Sequence, residues 1–147
     1  MSFLAAESLR TGGYVLPPDG QLLVNPASLD LRIADPVLLE GRQFLLASTY
    51  ETVCMPLDCV GFVMGKSSWA REGLLVEAAG LVDPGFTGQI TLELSNLTDE
   101  ELEIDQYLRI AQIAIARLDE PTTIPYPVVG HYHGQRGPTP SWRSLRK

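Results

Sequence analysis

Positive charge is scarce in this 147-residue chain. Eleven Lys and Arg stand against 18 Asp and Glu, a formal net charge of -7 at pH 7. Broad nucleic-acid binding depends on neutralising many phosphates, so no nucleic-acid partner is expected. An anionic small ligand in a locally basic pocket is compatible with the same balance. Long apolar runs are missing too: none approaches the roughly 20 residues that cross a bilayer as a helix, so no membrane is expected. The first residues, MSFLAAESLR, lack a basic segment followed by an apolar stretch. No signal peptide is read there, and the expected location is cytoplasmic. Cysteine is limited to Cys54 and Cys59. Two cysteines with no sign of secretion are expected as free, partly buried thiols. His131 and His133 lie far from them in a Gly/Pro-rich tail, so no protein-held metal site is expected.

What is present suits one domain with a real core: 45% hydrophobic and 20% charged residues. Short β-patterned runs dominate. Residues 2–10 read as a short helix, capped by Ser2 and ended by Gly12-Gly13. After a Pro17-Pro18-Asp19-Gly20 turn and the Asn25-Pro26 break, Ser28, Asp30 and Arg32 alternate with Leu29, Leu31 and Ile33. That is strand period with one apolar face. The polar row reads either as a solvated face or as a brace built on an Asp30–Arg32 charge pair. Further runs follow at Pro36–Glu40, Gln43–Thr49, Glu51–Met55, Val60–Met64 and Leu102–Ile104. Leu108–Leu118 is apolar on both faces and reads as a central strand in which Gln112 needs a specific partner. Many short strands and few helices predict an all-β barrel or sandwich.

The chemistry concentrates between Gly65 and Asn96, GKSSWAREGLLVEAAGLVDPGFTGQITLELSN. Gly65-Lys66-Ser67-Ser68 offers backbone amides, two hydroxyls and an ammonium in one turn, a combination that can bind phosphate oxygens and that also occurs in ordinary turns. One helical turn from Ser67 puts Arg71 above it. Asp83-Pro84-Gly85-Phe86 is a turn by composition; Asp83 either caps it or meets a sugar hydroxyl or water. Glu93 lies mid-strand on a polar face with Gln89, Thr91 and Ser95. That face is either solvated or lines a cavity, where a Glu with a raised pKa serves as a general base.

In order, NPASLDLRI, GKSSWAREGLLV, DPGFTGQITLEL, LRIAQI and HYHGQRGPTPSW resemble the motifs of the dCTP deaminase/dUTPase superfamily, from about Asn25 to Trp142. The resemblance implies a mainly β, distorted jelly-roll-like barrel with one or two short helices. It divides the chain into a barrel over residues 1–121 and a flexible C-terminal lid over 122–147. It also implies a homotrimer with sites between subunits, a deoxynucleoside triphosphate ligand (dCTP or dUTP), and Mg²⁺ held mainly by the phosphates. The zinc-deaminase pattern, H-x-E with P-C-x-x-C, is absent, in keeping with a zinc-independent branch.

Carried to matching positions, the resemblance makes Glu93 the base that takes a proton from the water attacking C4 of cytosine. Ser67 helps orient that water and the base, and Arg71 steadies that network and the phosphates. Lys66, Ser68 and Gln112 bind the triphosphate. Asp83 contacts the deoxyribose, Phe86 packs beneath it, and Tyr126 and Gln135 close over phosphates and base. Lys66 stands where the family usually has Arg, and Glu77 matches neither branch. The stretch LVEAAGLVD is closer to the dUTPase version, in which the Asp activates a water that attacks the phosphate chain. The favoured expectation is a dCTP deaminase giving dUTP and ammonia. The alternatives are a dUTP diphosphatase, a bifunctional enzyme, or a non-catalytic nucleotide-binding regulator.

Overall fold

The computed structural model describes residues 1–77 and 80–146, apart from the side chains of Glu77, Leu145 and Arg146. The strands, in chain order, are β1 (Ser2–Phe3), β2 (Val15–Leu16), β3 (Leu29–Arg32), β4 (Val37–Leu39), β5 (Phe44–Ser48), β6 (Thr52–Cys54) and β7 (Cys59–Gly65). They continue with β8 (Leu74–Glu77), β9 (Leu81–Val82), β10 (Thr87–Gly88), β11 (Thr91–Asn96), β12 (Leu102–Ile104) and β13 (Arg109–Arg117). Between them lie the short helices α1 (Ala6–Thr11), α2 (Ser67–Ala70) and α3 (Tyr126–Val129), and a 3₁₀ turn at Trp142–Arg146. The chain is therefore mainly β, as its patterning predicts.

The two-sided apolar pattern of residues 108–118 has the expected outcome. β13 runs antiparallel to β7 along one edge, and β3 and β1 share its other edge. Ile110, Ala111, Ile113, Ile115 and Ala116 are fully buried. Burying an Ile or Leu side chain contributes about 1.5–3 kcal/mol, so this strand and the Leu29, Leu31 and Ile33 side chains facing it anchor the core. A second sheet has β11 between β5 and β8, with Leu92 and Leu94 inward and Thr91 and Glu93 on the opposite face. Cys54 and Cys59 are free thiols, and burial raises the Cys59 pKa.

Two expectations are corrected. The N-terminal helix is confined to Ala6–Thr11 with Ala5 as its N-cap, and Ser2 does not cap it. Ser2 and Phe3 instead pair with Arg117 and Ala116 at the end of β13, where ladder bonds satisfy their backbone. The polar row of β3 is neither solvated nor paired with itself: Asp30 and Arg32 are both buried and each finds other partners. Arg32 Nε donates to Glu51 Oε1 at 2.6 Å, and its two terminal nitrogens donate to the Asp19 carboxylate at 2.7 and 2.9 Å. The Arg32 backbone N–H also donates to Glu51 Oε2, and the Tyr50 ring lies 5.0 Å from the guanidinium carbon. This clasp fixes the Pro17–Gly20 turn onto the sheet.

Candidate functional site

The turn predicted at Asp83–Phe86 forms, with the Phe86 N–H donating to Asp83 O at 3.1 Å. Pro84 sets its first corner and Gly85, at φ 86°, its second, the arrangement of a type II turn. Gly85 also allows a close approach. A Cβ there would sit 3.1–3.3 Å from Pro125, Pro127 and the Tyr126 nitrogen. Tyr126 N–H donates to Pro84 O, and its ring meets Phe86 edge-on at 5.4 Å between centroids. Phe86 is thus a buried floor onto which the C-terminal segment folds.

That segment continues across β10 and β11. Gly134 N–H donates to Thr87 O, the Gln135 amide donates to Gln89 O at 2.8 Å, and Gly137 N–H donates to Gln89 Oε1 at 2.7 Å. Thr139 N–H donates to Thr91 Oγ1. Tyr132 takes part twice, its N–H donating to Tyr126 Oη and its own Oη accepting from Trp142 N–H. His131 and Trp142 stack at 4.5 Å. Tyr126, Tyr132 and Trp142 thus dock the tail together with Gly134, Gln135, Gly137 and Thr139.

Between the tail and β11 lies a cavity of about 420 Å³, lined by Asp83, Phe86, Glu93, Tyr126, Tyr132 and Gln135, with Phe44, Leu46 and Ile90 on its apolar side. Volume and lining suit a small ligand recognised by a few polar groups on an apolar wall. Five of the residues singled out in the sequence, Asp83, Phe86, Glu93, Tyr126 and Gln135, meet here. Tyr132 and Thr139 join them from the HYHGQRGPTPSW segment, where no individual role marked them, and Phe44 and Leu46 join from β5, whose strand pattern alone does not distinguish a cavity wall from any other sheet face.

Lys66, Ser67, Ser68, Arg71 and Gln112 do not line this cavity. They gather at the junction of β7 and α2. The expected helical turn is present, the Arg71 N–H donating to Ser67 O at 3.1 Å. Ser67, Ser68 and Arg71 are exposed. Lys66 Nζ bonds Asp30 Oδ1 at 2.6 Å, the partner that replaces Arg32 in the expected pair. Gln112 accepts from Ser28 Oγ at 3.0 Å and donates to Gly65 O at 3.4 Å, so its amide is satisfied within the chain. A single chain therefore carries two separate clusters, one with carboxylates and aromatic rings, the other with cations and hydroxyls. Glu77 pairs with Glu93 in the β8–β11 ladder, and its side chain lies outside the described residues. Among the described residues no three His, Cys, Asp or Glu side chains form a metal-holding group. Among the described residues no helix is long and apolar enough to cross a membrane.

A family model described as dCTP deaminase-like matches residues 28–118. A protein of Acidothermus cellulolyticus named "dCTP deaminase, dUMP-forming" is 44% identical over 119 residues, taking in 77% of this chain and 62% of its own length. A protein of the same name from Salinispora arenicola is 36% identical over 179 residues, covering 96% of this chain and 93% of the relative. The chain thus spans about three fifths of the first relative's length and nearly all of the second's. Among solved structures, the dUTPase of EIAV superposes with a TM-score of 0.62 at 24% identity over 76% of this chain and 92% of that one. A mutant dUTPase of Staphylococcus aureus phage phi11, described for its structural Mg(II) ion, gives 0.59 at 19% identity over 67% and 81%. These likenesses identify the fold as dUTPase-like. The relatives' names carry dUMP as product, where the sequence alone favoured dUTP. With its β13 and Gly65–Asn96 segments inside the matched region, the chain belongs to the dCTP deaminase-like family.

Proposed function

We propose that this chain is an enzyme that deaminates dCTP and cleaves the resulting dUTP to dUMP and pyrophosphate. The observation that carries the reading is the convergence of two carboxylates, Asp83 and Glu93, on one cavity walled by Phe86 and Tyr126. Glu93 takes a proton from a water that adds to C4 of cytosine. The proton then passes to the departing nitrogen, the C4–N bond breaks and ammonia leaves. Asp83 activates a second water against the phosphorus nearest the sugar, and pyrophosphate departs. Phe86 packs under the deoxyribose. Tyr126 and Gln135 belong to a lid, residues 122–147, that closes over base and phosphates. The barrel of residues 1–121 carries the remaining groups.

The cation cluster completes the site from a neighbouring copy. In this reading the protein is a homotrimer whose sites take Asp83, Phe86 and Glu93 from one chain. Another chain supplies Ser67 to orient water, Arg71 to steady the network, and Lys66, Ser68 and Gln112 to hold phosphates. The separation of the two clusters within one chain supports it. Mg²⁺ fits as an ion carried by the nucleotide, since the described residues offer no cage of their own; when bound it offsets phosphate charge. No zinc enters the reading, and the enzyme works in the cytoplasm on free nucleotides.

The test is a product assay with dCTP and dUTP supplied separately with Mg²⁺. dUMP, pyrophosphate and ammonia from dCTP are expected. Accumulation of dUTP with no dUMP would restrict the protein to deamination. Nucleotide binding without turnover of either substrate would refute the enzymatic reading.

A further inference from the structure

Asp30 is 1% exposed, and both of its oxygens face cations. One oxygen accepts from Lys66 Nζ at 2.6 Å and from Asn25 Nδ2 at 2.7 Å. The other faces Arg109 Nη1 at 3.5 Å, while the Arg109 side chain remains 60% exposed. A single buried negative charge therefore holds two positive ones, leaving a local excess of positive charge in a chain whose net charge is -7. Lys66 is the more tightly engaged. Among the described residues the Arg109 guanidinium has no other hydrogen-bond or ion-pair partner.

Arg109 reaches Asp30 because β13 is irregular there. In an uninterrupted strand, residue 109 shares a face with Ala111 and Ile113, opposite Gln112. The pairing with β3 instead steps from Arg109↔Arg32 to Ala111↔Leu31, so Ile110 is an extra residue on β13. A bulge of this kind re-aims the side chain next to it. Here it brings Arg109 round to the face of Gln112, which pairs with Asp30 in the ladder. Two hydrogen bonds fasten the bulge to the segment from Gly65 to Trp69. Lys66 N–H donates to Ile110 O, and Trp69 Nε1–H donates to Arg109 O, both at 3.1 Å.

We infer that Arg109 is a further phosphate-binding residue of this site and that Asp30 is its positioning residue. The inference rests on the proposal that the Gly65–Ser68 turn receives the phosphate chain. Lys66 offers a point charge already paired with Asp30. A guanidinium adds a planar fork that can grip two phosphate oxygens together, which an ammonium cannot. The long contact to Asp30 uses one corner of that fork and leaves its other donors for the ligand.

The test compares the full chain with Arg109→Gln, Arg109→Lys and Arg71→Gln, reading dCTP kinetics with Mg²⁺ and binding of dCMP. Arg109→Gln is expected to raise KM for dCTP about tenfold, the scale of a lost hydrogen bond to a charged group, with a smaller change in kcat. Affinity for dCMP, which lacks the outer phosphates, should hold, and Arg109→Lys should recover part of the loss. An unchanged KM in Arg109→Gln beside a raised KM in Arg71→Gln would overturn the role of Arg109 and leave the phosphate turn standing. No effect from either would overturn both. An equal loss for dCMP and dCTP would also overturn it, since the outer phosphates would then not be what Arg109 holds.

Discussion

At the scale of the residue, Glu93 bears the sharpest test. Glu93→Gln keeps the size of the side chain and removes its basicity. Deamination should fall about a hundredfold or more while nucleotide binding persists. Near-parental ammonia release would remove Glu93 from the reaction. Asp19 gives a second test, of stability. The hydrogen bonds from Arg32, and then from the Gln21 amide, lower its pKa from 3.8 to about 2. A folded-state value below the unfolded one means that the stabilisation is fully present above 3.8 and disappears as the pH falls toward 2. Melting temperatures measured from about pH 5 to about pH 2 should therefore fall more steeply for the parent than for Asp19→Asn. Parallel curves would show that the Arg32 clasp does not act through Asp19. Glu93 and Asp83 were legible as candidates because a carboxylate stands out on a strand face or in a turn. The partners of Arg32 were not, because Asp19 and Glu51 lie 13 and 19 positions away and no periodicity links them.

Elements were read well where a hydrophobic period ran uninterrupted. β13 and β11 lie where their patterns predicted, because alternation or two-sided apolarity is itself the record of burial. At Ser2–Phe3 strand pairing overrides the local helical preference, and at Ile110 one added residue changes the phase of a strand without leaving a mark in its apolar pattern. The docked tail depends on both Gly85 and Tyr126. Gly85→Ala must accept a positive φ and push against Pro125 and Pro127. It should cost about 1–2 kcal/mol in chemical denaturation and loosen the tail, detected as faster proteolysis after residue 121. Removing residues 132–147 should raise KM for dCTP several-fold and leave the far-ultraviolet circular dichroism of the barrel unchanged. Unaltered kinetics would deny the tail a part in substrate closure.

For the whole molecule, the separation of the carboxylate cavity from the cation cluster has a direct test. Glu93→Gln and Arg71→Gln damage different clusters. If each site draws on two chains, an equal mixture of the two variants, unfolded and reassembled together, should regain activity in about a quarter of its sites by random assortment. A mixture as inactive as its components would place each site within one chain. The division was not legible in the sequence, where all these residues lie between Lys66 and Gln135 and only folding sends them to different faces. The same division distributes the chain's two tryptophans. Trp69 sits beside Arg109 next to the Gly65–Ser68 turn, and Trp142 stacks on His131 in the tail. Each of the two clusters thus has its own intrinsic fluorophore. If the tail closes over a nucleotide whose phosphates sit at the Gly65–Ser68 turn, Trp69→Phe leaves emission that follows the tail, and Trp142→Phe leaves emission that follows the turn. Stopped-flow fluorescence on the pair can therefore time the arrival of the triphosphate separately from the closing of the tail.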